Sequence, residues 1–334
     1  MANVSKSTGF VKRLPGGSGK KRGIAKEETC HYSIPMKWAL VLSGGGARGL
    51  AHIGVLEALE EYGVPAPSLI VGCSMGAVIG ALYASGVSTR EMRDFLSPPF
   101  DVSDIIGETA RSVFHGPINR VFQFGKGLVN LFTADGMDSG QKMFDLLAER
   151  TGNATFDRLP IPFACNATDL ITGDEVLLDS GNVALAARAS ASFPGVFSPV
   201  RQDTRLLADG FMTHNTPVWI ARKKGYRNVL AVYLDDFNRF PEARRKSAFD
   251  ILLRAMDCAV RQKRMQRRDY PTAAIFADND RQPFDFEKPL EQVNFGHAAA
   301  ADQKSVLEGF FSQGISGYSA RIVLAQRERK RSRP

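Results

Sequence analysis

Cysteine and histidine are scarce: the 334 residues hold four cysteines, at positions 30, 73, 165 and 258, and five histidines. No two cysteines form a C-x-x-C pair and no histidine cluster stands beside them, which argues against a zinc site or a disulfide framework. The four are expected as isolated buried thiols in a reducing compartment. No run of about eighteen apolar residues occurs, so no membrane-crossing helix is expected. The charged N-terminus has no apolar segment behind it, so no secretory signal is expected either. The remaining expectation is a cytoplasmic protein, with the membrane periphery open to it. No internal repeat is present.

The net charge of +8 is unevenly placed. Residues 1–37 carry eight Lys/Arg against two Asp/Glu, and residues 321–334 carry six against one, which leaves the body slightly acidic. Residues 1–35, rich in Gly, Ser and Lys without apolar period, read as a disordered basic extension. Met36 marks either the true start or the start of the folded part, and the extension is then either superfluous or a weak anchor for anionic surfaces. Residues 321–334 read as a solvated basic tail, leaving 36–320 as the folded domain. No nucleic-acid-binding module is recognisable, so no nucleic acid partner is expected.

From Trp38 the pattern becomes regular. Trp38–Leu42 is a short apolar run of buried-strand type, followed by Ser43-Gly44-Gly45-Gly46-Ala47-Arg48-Gly49. Leu50, Ile53, Leu56 and Leu59 then fall on one helical face, and Gly54 and Ala58 would let that helix lie close on a sheet. Leu69–Val71 is a second buried strand, running into Gly72-Cys73-Ser74-Met75-Gly76 and a second helix that ends near Gly86. Strand, loop and helix repeated twice make the unit of a parallel sheet covered by helices. Further on, Met143, Phe144, Leu146 and Leu147 mark an amphipathic helix. Residues 161–165 and 175–178 alternate like strands around Thr172-Gly173-Asp174. Val183–Ala191 is a small-residue helix, Leu206–Ala208 leads into Asp209-Gly210, and Val229–Leu234 is another buried strand. A Phe-rich stretch from Phe95 to Phe132 reads as plain core, a lid or a lipid-facing groove. Residues 245–268 read as a basic amphipathic helix with a solvated face.

Three motifs carry chemistry. Gly72-x-Ser74-x-Gly76 lies between strand and helix, where a serine nucleophile must be exposed on a sharp turn with no side chains beside it to collide with its neighbours. The turn places Ser74 at a helix N-terminus, whose dipole favours developing negative charge. The loop Gly44–Gly46 can bring bare backbone N–H groups to a substrate carbonyl, the arrangement that stabilises the oxyanion of acyl transfer. Arg48 next to it either steadies the loop or meets a lipid phosphate. Asp209-Gly210 ends a strand; its carboxylate can act as general base on a serine nearby, although Asp-Gly alone is also a plain turn signal. The glycine loop also satisfies G-x-G-x-x-G, but a dinucleotide site needs a carboxylate at the end of the second strand, where this chain has Val71-Gly72-Cys73-Ser74. No Gly-Lys-Ser/Thr follows, so the loop is not a P-loop.

In this order the three motifs resemble those of the patatin-like phospholipase family: a glycine-rich loop with a basic residue, a G-x-S-x-G elbow, and an Asp-Gly turn. The segment Ala189-Ser190-x-Ser192-Phe193-Pro194-x-Val196-Phe197 resembles the stretch such proteins carry before that aspartate. Asp285-Phe286 and Gly296–Ala299 resemble the C-terminal part of bacterial members. The resemblance spans about residues 37–300. It implies a three-layer α/β/α sandwich with a mainly parallel central sheet and a nucleophile elbow. It implies Ser74 as nucleophile and Asp209 as its base, without a histidine. Gly44, Gly45, Gly46 and the Met75 amide would form the oxyanion hole, with Arg48 and Gly49 in support, Gly72 and Gly76 shaping the elbow, and Gly210 the turn. The implied activity is hydrolysis of fatty acyl esters of lipids, with no metal or cofactor.

One position departs from the family pattern. Phe211 stands where glycine or alanine is usual after Asp-Gly, which would narrow an acyl groove or shift the turn. Alternatives therefore remain: a serine acyltransferase or thioesterase with His214 or His297 as base, or a lipid-binding protein with little catalysis. His52, in the first helix, reads as packing or surface.

Overall fold

The structure is a computed structural model that describes residues 36–102, 105, 138–235, 251–252, 254–256, 258–260 and 270–331. The basic extension 1–35, the phenylalanines at 114, 122, 124 and 132, and most of the helix expected over 245–268 lie outside the described residues.

One eight-stranded sheet organises the chain, in the order β5-β6-β3-β2-β1-β7-β8 with β4 also paired to β3. β1 (Trp38–Leu42), β2 (Leu69–Gly72), β3 (Phe163–Asp169), β7 (Asn228–Tyr233) and β8 (Ala273–Phe276) form the parallel part. β4 (Glu175–Leu178), β5 (Val200–Gln202) and β6 (Arg205–Asp209) add an antiparallel arm beyond β3. Side chains alternate across a strand, so a strand buried on both faces reads as an unbroken apolar run. β1 does so: Trp38, Leu40 and Leu42 enter one core, while Ala39 and Val41 enter another.

The larger core lies under α1 (Ala51–Glu61), α2 (Met75–Ala84), α3 (Thr89–Phe95), α4 (Gln141–Arg150) and α5 (Val183–Ser190). On the opposite face α6 (Val218–Lys223) inserts Val218, Ile220 and Ala221. Helices on both faces of a mainly parallel sheet make the three-layer α/β/α arrangement. Caps fix several of these helices: Ser88 and Glu91 form a reciprocal capping box at α3, and the Asn182 side chain accepts the Leu185 N–H at α5.

The C-terminal part folds back onto α1. α7 (Pro289–Asp302) crosses it, followed by α8 (Lys304–Phe311) and α9 (Gly314–Arg331). A Cβ at Gly54 would stand 1.8 Å from the Val293 carbonyl oxygen, and one at Gly296 1.9 Å from that of Ala51, so two glycines let the backbones touch. Gly54 thus serves a helix–helix crossing rather than the close approach to the sheet expected for it. Two other expectations are corrected. Residues 321–331, expected as an irregular tail, continue a helix, and most of them are exposed as expected. Cys73 and Cys165 are buried thiols, whereas Cys258 is exposed. Among the described residues, no helix is long and apolar enough to cross a membrane.

Candidate active site

Strand register brings the motifs to one level. Leu42 pairs with Gly72 and Gly72 with Cys165, so the loops after β1 and β2 leave the sheet together. Two residues further along β3, Ala167 pairs with Asp209, which places Asp209 level with Ser74 across β3. Ser74 itself has φ 51° and ψ −125°, a left-handed conformation that turns its side chain out of the sheet and costs backbone energy. The flanking glycines make room for this turn. A Cβ on Gly72 would lie 2.4 Å from the Ala77 Cα, and one on Gly76 2.4 Å from the Leu42 carbonyl oxygen and 2.6 Å from that of Ser43. Gly76→Ala therefore forces backbone apart and is expected to destabilise the fold by about 2–3 kcal/mol despite alanine's better helix propensity. Thermal melting measures it, and a Tm equal to wild type would contradict the packing described.

The Ser74 Oγ donates a 2.6 Å hydrogen bond to Asp209 Oδ2. Ser74 occupies the N-cap of α2, yet its side chain caps nothing, because the hydroxyl is turned to Asp209. The helix's first amides are thereby left open. Asp209 is fully buried, and its Oδ1 accepts the Phe211 N–H at 2.8 Å. Burial pushes its carboxyl up to about 7, against the opposing pull of the Ser74 hydroxyl and the Phe211 amide. A Cβ on Gly210 would stand 2.5 Å from Asn166 Oδ1, so the turn after Asp209 also requires glycine.

The glycine loop is held from several sides. Asn215 binds Gly44 twice: its carbonyl accepts the Gly44 N–H at 3.0 Å and its Nδ2 donates to the Gly44 carbonyl at 3.2 Å. Ala47 N–H donates to the Pro283 carbonyl. His52 is buried, not superficial; its Nε2 bonds the Ser43 carbonyl at 2.8 Å, and burial lowers its pKa to about 4, so the ring is neutral and Nε2 carries the proton. Arg48 is 4% exposed and forks onto the Asp235 carboxylate, with Nη2 to Oδ2 at 2.9 Å and Nη1 to Oδ1 closer still, and Nη1 also reaches the Leu234 carbonyl. The pairing ties the glycine loop to the segment after β7, and Arg48 also lines the pocket described below. Gly49 leaves room for the Met75 side chain. Among the described residues, the N–H groups of Gly45, Gly46 and Met75 have no hydrogen-bond partner.

All of this opens on one pocket of about 150 Å³. Gly44–Gly46, Ser74, Met75 and Asp209 form its polar end, and Phe193, Phe197, Phe211, Phe284 and Phe286 belong to its apolar walls. Phe211 neither displaces Asp209 nor blocks Ser74. Its ring tilts against Phe193 at 6.3 Å, and Phe193 meets Phe284 edge-on at 5.5 Å. The departure from the family pattern therefore adds an aromatic wall.

The histidines are elsewhere. His297 Nε2 pairs with Glu61 Oε2 at 2.8 Å on the outer side of α7. His214 is buried with Nδ1 3.7 Å from Glu175 Oε2, behind the Asp209 turn. The carboxylate that Ser74 meets is Asp209, and neither ring bonds its hydroxyl.

Several residues that serve the site carry no motif signal. Ser190 Oγ accepts the Ser74 N–H at 3.0 Å. Thr168 Oγ1 donates to the Asp209 carbonyl at 2.9 Å, and Asn166 Nδ2 donates to the carbonyls of Gly210 and His214. Glu175 Oε1 accepts from Asn166 and from the Trp219 indole. Ser190 lies in the segment noted for its resemblance. The others look in sequence like ordinary polar residues of strands and turns, and only strand pairing shows that they converge.

Fold and site define a class: α/β proteins with a serine on a strand–turn–helix elbow, hydrogen-bonded to a buried carboxylate. The chain belongs to the patatin-like phospholipase family, whose model matches residues 40–222. It is 36% identical over 180 residues to an uncharacterized NTE family protein of Mycobacterium tuberculosis (strain ATCC 25618 / H37Rv), a match covering 54% of this chain and 44% of that one. It is 31% identical over 193 residues to Lysophospholipase NTE1 of Cryptococcus neoformans var. neoformans, covering 58% of this chain and 11% of the relative. The chain thus spans less than half the length of these curated relatives. Among solved structures, VipD from Legionella pneumophila aligns over 81% of this chain and 67% of its own, at 16% identity and TM-score 0.47.

Proposed function

We propose that the protein is a serine lipid acyl hydrolase that cleaves fatty acyl ester bonds of phospholipids or related lipids. The observation that carries this reading is the 2.6 Å hydrogen bond from Ser74 Oγ to the buried Asp209 carboxylate, at the polar end of an apolar pocket. In the first half-reaction Asp209 accepts the Ser74 proton as Oγ attacks the acyl carbonyl carbon. The oxyanion is met by the open N–H groups of Gly45, Gly46 and Met75 at the positive end of α2, each such donor supplying about 3–4 kcal/mol. Gly44 belongs to the loop, but its own amide is committed to Asn215, so its part is to hold the other two in place. Protonated Asp209 returns its proton to the departing alcohol, leaving acyl-Ser74. In the second half-reaction water gives its proton to Asp209 and attacks the ester, and the fatty acid leaves as Ser74 is reprotonated. The chemistry balances with ester and water alone and calls for no cofactor.

The family and the lysophospholipase named among the relatives support a lipid substrate. Within this reading the basic residues of 1–37 draw the chain to anionic lipid surfaces, where such esters reside. The test is covalent. A long-chain alkyl fluorophosphonate is expected to add once to the full chain, on the peptide containing Ser74, and to block release of fatty acid from lysophosphatidylcholine. Labelling at another serine, or a labelled protein that still hydrolyses its substrate, would overturn the proposal.

A further inference from the structure

A second apolar cavity, of about 80 Å³, lies directly behind Met75, between α2, α3 and α4. Val78 and Leu82 of α2, Met92 and Phe95 of α3, and Leu146 and Leu147 of α4 are among its walls. It is not part of the catalytic pocket, yet Met75, Ile105, Met143 and Phe286 line both hollows. These shared residues lie where the two hollows adjoin. Two of them are methionines, whose unbranched thioethers change rotamer at little cost.

The chemistry of the walls selects the occupant. Among the described residues, the only charged or polar side chains on its wall are those of Glu91 and Arg150, both exposed, and the Arg150 guanidinium lies over the Phe95 ring at 5.1 Å. Water needs two or more polar partners to occupy such a space, and among the described residues the rest of the wall offers no polar side chain. An apolar hollow that adjoins the pocket holding the nucleophile offers burial to the apolar part of a substrate bound there. The guest must be apolar, slender enough to pass between Met75 and Met143, and anchored at Ser74.

We propose that this cavity receives the distal part of a long acyl chain, entering past Met75, Ile105, Met143 and Phe286, and that it sets a preference for long-chain over short-chain acyl groups. The proposal rests on the reading of Ser74 as the acylated residue and adds to it a second compartment and a substrate length. Phe95, from the Phe-rich stretch, then belongs to a lipid-facing wall.

Val78 and Leu146 are half-buried cavity walls on different helices and take no part in the chemistry proposed. Val78→Trp and Leu146→Trp should each plug the cavity. Wild type is expected to show kcat/KM rising from p-nitrophenyl butyrate through octanoate to palmitate. Each tryptophan should cut the palmitate value by about 30-fold, the loss of two or three buried methylenes at about fourfold each, and leave butyrate within about twofold. Binding is read separately on the full-length Ser74→Ala protein, by displacement of cis-parinaric acid with palmitate, with and without Val78→Trp. A wild-type profile indifferent to chain length, or folded tryptophan variants that lose all esters equally, would overturn the proposal while leaving hydrolysis standing. No turnover of any ester, but palmitate binding that Val78→Trp abolishes, would uphold the cavity and remove the hydrolase reading. Neither turnover nor palmitate binding would remove both.

Discussion

Ser74→Ala is expected to lower kcat for acyl ester hydrolysis by about 10⁵–10⁶-fold, the scale seen when a serine nucleophile is deleted. The proposed mechanism routes both half-reactions through one atom. Without Oγ no acyl-enzyme forms, and Asp209 is left to activate water at a site shaped for a bonded acyl group. The open amides of Gly45, Gly46 and Met75 remain, so some residual rate over solution is expected from oxyanion stabilisation alone. The fold should survive. Alanine adopts the strained elbow no less readily than serine, and the Gly72 and Gly76 contacts that shape the turn are untouched. The Asp209 carboxyl loses the hydroxyl that holds its proton affinity down, and its pKa should climb further above about 7. Steady-state hydrolysis with a thermal melt on the same sample measures both effects. A variant that keeps more than about one hundredth of the wild-type rate would place the nucleophile on another residue.

Much of this site was legible in the sequence, for a physical reason. Gly72, Gly76 and Gly210 are there because backbone or side-chain atoms stand within 2.6 Å of where a Cβ would be, and such demands leave glycines at fixed spacing. The strands Trp38–Leu42 and Leu69–Gly72 were legible because burial on both faces removes polar residues altogether. What stayed hidden was whatever depends on long-range pairing. Asn166 and Thr168 reach the Asp209 turn only because β6 runs antiparallel to β3, and Asn215 clamps Gly44 from 171 residues away. Arg48 left two roles open in sequence, and its partner Asp235, two residues past the end of β7, could not be read there. Gly54 showed the same limit: its need for a close neighbour was readable, but the neighbour, α7, was not.

Asp209→Asn should separate activity from stability in opposite directions. With the base removed, kcat is expected to fall by about 10²–10⁴-fold. The pH profile should change as well. Wild-type kcat/KM is expected to rise with pH through about 7, where the buried Asp209 carboxyl ionises, and the residual rate of the asparagine variant should lack that step. For stability the sign follows from the raised pKa. Between the ordinary carboxylate value of 3.8 and about 7 the folded chain keeps a proton on Asp209 that the unfolded chain releases. Its contribution is therefore fully present below 3.8, declines as pH rises, and is lost once pH passes about 7. Asparagine carries no charge and keeps an oxygen for the Phe211 N–H, so at pH 8 the variant should be more stable than wild type by about 2–3 kcal/mol, less than the full linkage because its amide needs a new acceptor. Towards pH 4 the gain should vanish. His52 acts the other way, since its pKa lowered to about 4 makes the fold lose stability as pH falls below 6.5, but it is common to both proteins and cancels in the difference. Chemical denaturation of both proteins at pH 8 and pH 4.5 measures the gap. A wild type more stable than the variant at pH 8 would mean that the ionised carboxylate is a net stabiliser, and the raised pKa would be wrong. If the gap opens with pH as expected, the ionised Asp209 costs the fold stability at neutral pH, and the proposed role as base for Ser74 supplies a reason to keep it there.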